Sequence, residues 1–230
     1  SNYKETCVSF PQFPYKKYAL VKWMPCPKID TDNPGLAYIY PLDELIVTKQ
    51  KDALHDIIGK RGVNYTIFNK DGQKVFLAVH DKHCRKFDLK IFNIYGNEVI
   101  LVKKPKYCLT RVYVWSPPGN FIGSVTKVTP CGRIYLVKNK SGEVILKLQP
   151  RGFCQLVYDV FSDSENIGIL APNWRLARVL NVKSFGISFP EDMDIGYKAV
   201  LLGASFLLGQ FYHINELSLF NGKGSHLKLS

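Results

Sequence analysis

A chain of 230 residues with 46% hydrophobic and 13% aromatic residues has enough apolar material for one buried core and is far from the profile of a disordered chain. Its 31 Lys and Arg against 19 Asp and Glu leave a net charge of +12, which favours anionic partners: nucleic acid, acidic lipid headgroups or an acidic protein. Six widely spaced cysteines with no Cys-x-x-Cys pair argue against a zinc ribbon or a disulfide-dense scaffold and fit reduced thiols in a cytosolic protein best, although an even count in a secreted protein could still pair.

Residues 1–32 contain Pro11, Pro14, Pro25 and Pro27, too many prolines for a long regular element, and are expected to wrap the outside of the fold as an extension. No signal peptide opens the chain, and Ser1 in place of Met is expected of a chain trimmed at its start. The stretch "LDELIVTKQKDALHDIIG" (42–59) reads as helical.

Three segments then share one design: "YTIFNKDGQKVFLAV" (65–79), "LKIFNIYGNEVILV" (89–102) and "IYLVKNKSGEVILKL" (134–148). Each is a β-branched or aromatic run, then Asn-x-x-Gly, then a second such run. Asn69, Asn93 and Asn139 can bond their own backbone two residues on, and Gly72, Gly96 and Gly142 can take the positive φ that closes the turn. "RVYVWSPPGNFIGSV" (111–125) adds two strands bent at Pro117 and Pro118, which cannot donate to a ladder. "CQLVYDVF" and "NIGILAPNW" flank the polar turn "SDSE" in a similar way. Ten or more short strands at hairpin spacing predict an antiparallel meander closed into a β-barrel.

The longest uncharged run, "AVLLGASFLLGQFY" (199–212), makes a helix of about 21 Å, whereas a hydrocarbon core needs about 30 Å. Lys198 bounds it on one side, and His213, Asn215 and Glu216 on the other. The run has no polar face, so it does not suit the surface of a soluble fold. A central helix over 198–213, buried inside the barrel, satisfies both constraints, with Gly203, Ala204, Ser205 and Gly209 allowing close approach.

Reactive chemistry is missing. No nucleophile elbow, phosphate loop or zinc-protease motif is present, so an enzyme is not expected. "HDKHC" (80–84) offers three metal-capable side chains but no second pair at ligand spacing. Asp159, Asp163 and Glu165 suit solvated loop carboxylates better than acid–base partners.

In order and spacing, "PGLAYIYPLDELIV", the Tyr-x-Ile-x-Asn-x-x-Gly-Gln hairpin, "GNEVI", "PPGNFIGSV" and "FGISFPEDMDIGYKAVLLGASFLL" resemble the phospholipid scramblase family. That family is similar to the tubby carboxyl-terminal domain, a closed antiparallel barrel of about twelve strands around a central hydrophobic helix. The resemblance implies a barrel domain over 33–220 and a tail over 221–230. It also implies calcium-triggered, energy-independent movement of phospholipids between leaflets, by a protein on the cytosolic face of the plasma membrane.

The family's motifs are carried over only in part. Its twelve-residue calcium loop corresponds to Asn181 through Asp192, where Asn181 replaces an acid at the first ligand place and Lys183 puts a cation at the third. Calcium needs six to eight oxygen ligands with enough negative charge, so Ca2+ binding is expected to be weak or lost. "FGISFP" then reads as the strand and turn that lead into the buried helix. The family's palmitoylated cysteine run is reduced to Cys108. One acyl chain gives marginal attachment, and a lone Cys also suits a small core residue. The place of the nuclear import segment holds "GILAPNW", which has no lysine, so nuclear import is not supported.

A binding module of the tubby type is the alternative, with Lys60, Arg61, Lys103, Lys104 and Lys106 holding a phosphoinositide headgroup or an acidic protein. Either reading makes an anionic phospholipid membrane surface the expected partner. Scattered lysines on a barrel present no element to enter a DNA groove, so nucleic acid is not expected.

Overall fold

The computed structural model describes residues 21–29, 33–81, 87–105, 111–129, 132–152, 156–172 and 184–221, with side chains of the last stretch to Leu208 and Pro34 by its backbone alone. Twelve antiparallel strands form a closed barrel in which each strand pairs with its neighbours in sequence. They are β1 (Glu44–Thr48), β2 (Val63–Phe68), β3 (Lys74–Asp81), β4 (Asp88–Phe92), β5 (Glu98–Lys103), β6 (Arg111–Trp115), β7 (Phe121–Lys127), β8 (Tyr135–Asn139), β9 (Val144–Pro150), β10 (Tyr158–Ser162), β11 (Glu165–Pro172) and β12 (Ser184–Ser188). β1 closes the ring, pairing Val47 with Phe185 of β12 on one side and with Ile67 of β2 on the other.

The Asn-x-x-Gly turns form as the residue types dictate. The Oδ1 of Asn69 accepts from the amides of Asp71 and Gln73 at 3.1 and 2.9 Å. Asn93 and Asn139 repeat both contacts within 3.0 Å. Gly72, Gly96 and Gly142 sit at φ 75°, 77° and 85°, a region open to glycine at no steric cost. The register shifts by one residue beside each turn, as expected where a turn residue in the left-handed region makes a bulge. The proline turn between β6 and β7 closes in the same way, with Gly119 at φ 96° and the Ser116 amide donating to the Asn120 carbonyl at 2.9 Å.

These turns, with that between β10 and β11, lie at one end of the barrel, and the longer connections lie at the other. This follows from the strict up-and-down order, which sends every second connection to the same rim. The helical pattern expected over 42–59 is only partly realised. Glu44–Thr48 is strand β1, because β2 and β12 supply its ladder partners, and only Ala53–Ile58 is helical, α1. Tertiary pairing here overrides local pattern. Before β1, Pro34–Ile39 forms a 3-10 turn. Residues 21–29 lie against the start of β3, with the Met24 amide bonded to the Lys74 carbonyl at 2.9 Å. The rest of the expected wrapping segment lies outside the described residues.

The second helix, α2 (Ile195–Asn221), has 27 residues, about 40 Å at 1.5 Å per residue. It starts three residues before, and runs beyond, the stretch the apolar run defined. Residues 198–208 are all buried. Contacts reach it from around the ring. Phe206 meets Tyr65 of β2 and Phe185 of β12 edge-on at 5.2 and 5.5 Å, and Gly203 faces Val102 of β5 and Val114 of β6. The barrel interior is a packed core built around this helix. Among the described residues, no helix is long and apolar enough to cross a membrane.

Candidate functional site

The most unusual side chain is Lys198, in the first turns of α2 and fully buried. A buried ammonium is costly unless its protons are matched by acceptors. Here its Nζ donates to the carbonyls of Tyr40 at 2.8 Å, Leu42 at 2.7 Å and Glu191 at 2.6 Å, with Ile39 at 3.4 Å. It also stands 5.2 Å from the centre of the Phe189 ring. Burial lowers its pKa from 10.5 to about 8, while Glu191, Asp192 and Asp43 pull the other way. The 3-10 turn thereby becomes a stopper at the tight-turn rim, tied by one cation to the turn that enters α2. In the sequence Lys198 reads only as the border of an apolar run. A single charge at the mouth of a helix with no polar face was the available signal, since such a charge must find partners inside.

The helix entry is otherwise self-contained. Asp194 accepts from the Tyr197 amide at 3.1 Å as an N-cap, which satisfies a donor of the first turn. Asp192, the closing residue of the expected calcium loop, is exposed in the turn before α2. Asn181 and Lys183, at the other places weighed for calcium, lie outside the described residues. Among the described residues no three His, Cys, Asp or Glu side chains gather as metal ligands.

Two of the smaller sequence readings can be located. Asp159 is gripped by Arg151 at 2.5 and 3.2 Å and by Asn166 at 3.1 Å. Arg151 holds its carboxyl below the usual range, so it is an ion pair and not a proton donor. His80 packs against the Phe87 ring with centres 5.0 Å apart, while the rest of the "HDKHC" segment beyond Asp81 lies outside the described residues.

The basic residues expected to hold an anionic headgroup fall into two places on one rim, that of the longer connections. Lys60 and Arg61 are exposed just after α1 and before β2. Lys103 ends β5 and Lys104 follows it, and the Lys103 ammonium stands 3.7 Å from Asp88. β3 and β4 separate the two places, which puts them about 14 Å apart along the wall at the usual strand spacing. The fold therefore brings them to one end without making them a single pocket. Lys106 and Cys108 lie outside the described residues.

Sequence reasoning also missed an aromatic group on the outer wall. Tyr113, Trp115 and Phe121 pack on one another with ring centres 5.8 to 6.0 Å apart, all edge to face. The inward side chains of the same strands are Val112, Val114 and Val125. The signal was the alternation Arg-Val-Tyr-Val-Trp, which puts the valines inside and the larger side chains outside.

Comparison with known proteins points one way. The sequence profile of the Scramblase family matches residues 24–215. The chain is similar to phospholipid scramblase 2 of Bos taurus, 32% identical over 218 residues that cover 82% of this chain and 74% of that protein. It is similar to phospholipid scramblase 1 of Homo sapiens at 30% identity, covering 82% and 69%. A third relative, phospholipid scramblase family member 5 of Homo sapiens, is 31% identical, covering 80% and 79%. A solved structure of a protein from Arabidopsis thaliana aligns with a TM-score of 0.48 and 12% identity, covering 74% of this chain and 93% of that one.

Proposed function

We propose, because this chain belongs to the scramblase family, that it works at a phospholipid surface: a non-enzymatic protein of the cytosolic face of the plasma membrane that takes part in redistributing phospholipids between leaflets. One observation carries the manner of action. The barrel interior is filled by α2, whose residues 198–208 are all buried. A headgroup needs a polar path, and a closed wall packed around an apolar helix offers none. Lipid must then be engaged from outside, where a net charge of +12 attracts anionic headgroups at about 1 kcal/mol for each well-placed Lys or Arg. Calcium contributes weakly or not at all, since Asn181 replaces an acid at the first ligand place of the loop and Lys183 puts a cation at the third.

The test is reconstitution into liposomes with a fluorescent-lipid quench assay, run with calcium and with a chelator. The expected result is lipid redistribution above protein-free vesicles and equal in the two conditions. Redistribution no faster than in protein-free vesicles overturns the reading.

A second reading, a signalling module that binds a phosphoinositide or an acidic protein, is favoured by the placement of Lys60, Arg61, Lys103 and Lys104 on one rim. Charge reversal of these four, with Lys106, abolishes phosphoinositide binding in a flotation assay if it is right.

A further inference from the structure

Charge on this molecule is segregated along the chain and around the wall. Residues 99–142 hold eight Lys and Arg and no Asp or Glu. That stretch supplies most of β5 and all of β6, β7 and β8, so the only carboxylate on these four adjacent strands is Glu98, at the start of β5 and paired with Lys90 of β4 at 3.2 Å. Asp88 on β4 borders it and pairs with Lys103. The carboxylates gather elsewhere: Asp163, Glu165, Asp192 and Asp194 line a cavity of about 540 Å³ at the tight-turn rim.

Strand register gives the outward layout of the basic wall. One cross-strand row runs Leu101, Trp115, Phe121, and the next runs Lys103, Tyr113, Ser124, Lys138. The aromatic group therefore sits at the centre, with cations on both sides. Lys138 makes no ion pair among the described residues. Rings with an apolar body, ringed by long basic side chains, match the headgroup layer of a bilayer, where aromatics settle at the interface and lysines reach the phosphates.

We infer that the outer face of β5 to β8 is the surface on which the barrel lies against an anionic phospholipid bilayer, with Tyr113, Trp115 and Phe121 entering the headgroup layer and Lys103 and Lys138 contacting its phosphates. The inference rests on the lipid reading above and adds the face and the orientation: the barrel lies on its side, with the acidic cavity turned from the contact strip. Single-stranded nucleic acid is the rival occupant of a basic aromatic sheet. It needs ring faces free for stacking, whereas these rings cover one another edge to face.

The experiment uses the full chain with W23F and W174F, which leaves Trp115 as its single tryptophan, and mixed phosphatidylcholine–phosphatidylserine vesicles with and without brominated acyl chains. Thermal melts establish that each variant is folded. The expected result is a blue-shifted Trp115 emission, quenched by brominated lipid and reversed by high salt. K103Q/K138Q weakens vesicle partition by about 30-fold, at about fivefold per cation, while K49Q/K70Q leaves it unchanged. Flotation with an unquenched Trp115 overturns the assignment of this face and leaves the lipid reading standing. No flotation at all removes both. A Trp115 response to a single-stranded oligonucleotide and none to vesicles overturns the inference in favour of the rival occupant.

Discussion

The Lys198 ammonium donates to the Leu42 carbonyl at 2.7 Å, joining positions 156 residues apart. The same group serves Tyr40 and Glu191, so one side chain fastens the rim stopper to the helix entry. K198M keeps most of the bulk and removes the donor, leaving carbonyls without partners. The expected loss is about 2–4 kcal/mol, measured by urea denaturation at neutral pH. An unchanged midpoint would mean that water replaces the ammonium at no cost.

Alkali should first stabilise the fold and then destabilise it. Burial lowers the Lys198 pKa to about 8 in the folded chain, so between pH 8 and 10.5 the unfolded chain binds the extra proton and stability rises with pH. Burial also pushes Tyr65 and Tyr135 up to about 12. Their contribution is full below pH 10 and is lost as pH climbs from 10 to 12. Unfolding free energy should climb from pH 8 to 10 and fall beyond it. In K198M the rising limb should vanish while the fall remains.

Two glycines at the helix–wall interface should differ in how well they tolerate a methyl group. A methyl on Gly203 would lie 3.0 Å from a Val114 methyl, which can give, and Ala gains about 1 kcal/mol over Gly in a helix. G203A should therefore leave stability within about 1 kcal/mol. A methyl on Gly123 would lie 2.4 Å from the Lys138 carbonyl oxygen and 2.8 Å from a Val200 methyl. Backbone cannot yield there without breaking the β7–β8 ladder, so G123A should cost about 2–3 kcal/mol. Thermal melts of the pair rank them.

Phe206 anchors the helix between β2 and β12, 1% exposed and edge-on to two rings. F206A should cost about 3–5 kcal/mol, as large cavities do, and F206L no more than about 1.5 kcal/mol. If α2 were peripheral, chemical denaturation would find both variants near wild type.

Calcium should act weakly on folding. A ligand at its own dissociation constant adds only about 0.4 kcal/mol, so with an affinity no tighter than millimolar, adding millimolar calcium should shift the unfolding free energy by no more than this. N181D/K183D, which restores acids at two ligand places, is the variant expected to gain a calcium-dependent shift in the melting temperature.

Much of the architecture was legible in residue order. The Asn-x-x-Gly turns carry their own geometry, because a side-chain carbonyl and a glycine suffice to close each one, and alternating apolar residues mark the inward face of strands such as β6, with Val112 and Val114, and β4, with Leu89 and Ile91. Repetition of that unit implied the barrel, and an apolar helix too short for a bilayer implied its filling. The stretch 42–59 misled, since only the partners β2 and β12 make Glu44–Thr48 a strand.

What residue order could not contain was which distant groups converge. Lys198 is a boundary charge until the fold wraps Tyr40, Leu42 and Glu191 around it. Two basic clusters that look alike in the chain are held apart by β3 and β4, while Trp115 and Phe121 come together across a turn. Local turn chemistry and periodicity are properties of neighbours along the chain. Burial of a charge and the composition of an outer face depend on closure of the ring, which only the tertiary structure decides.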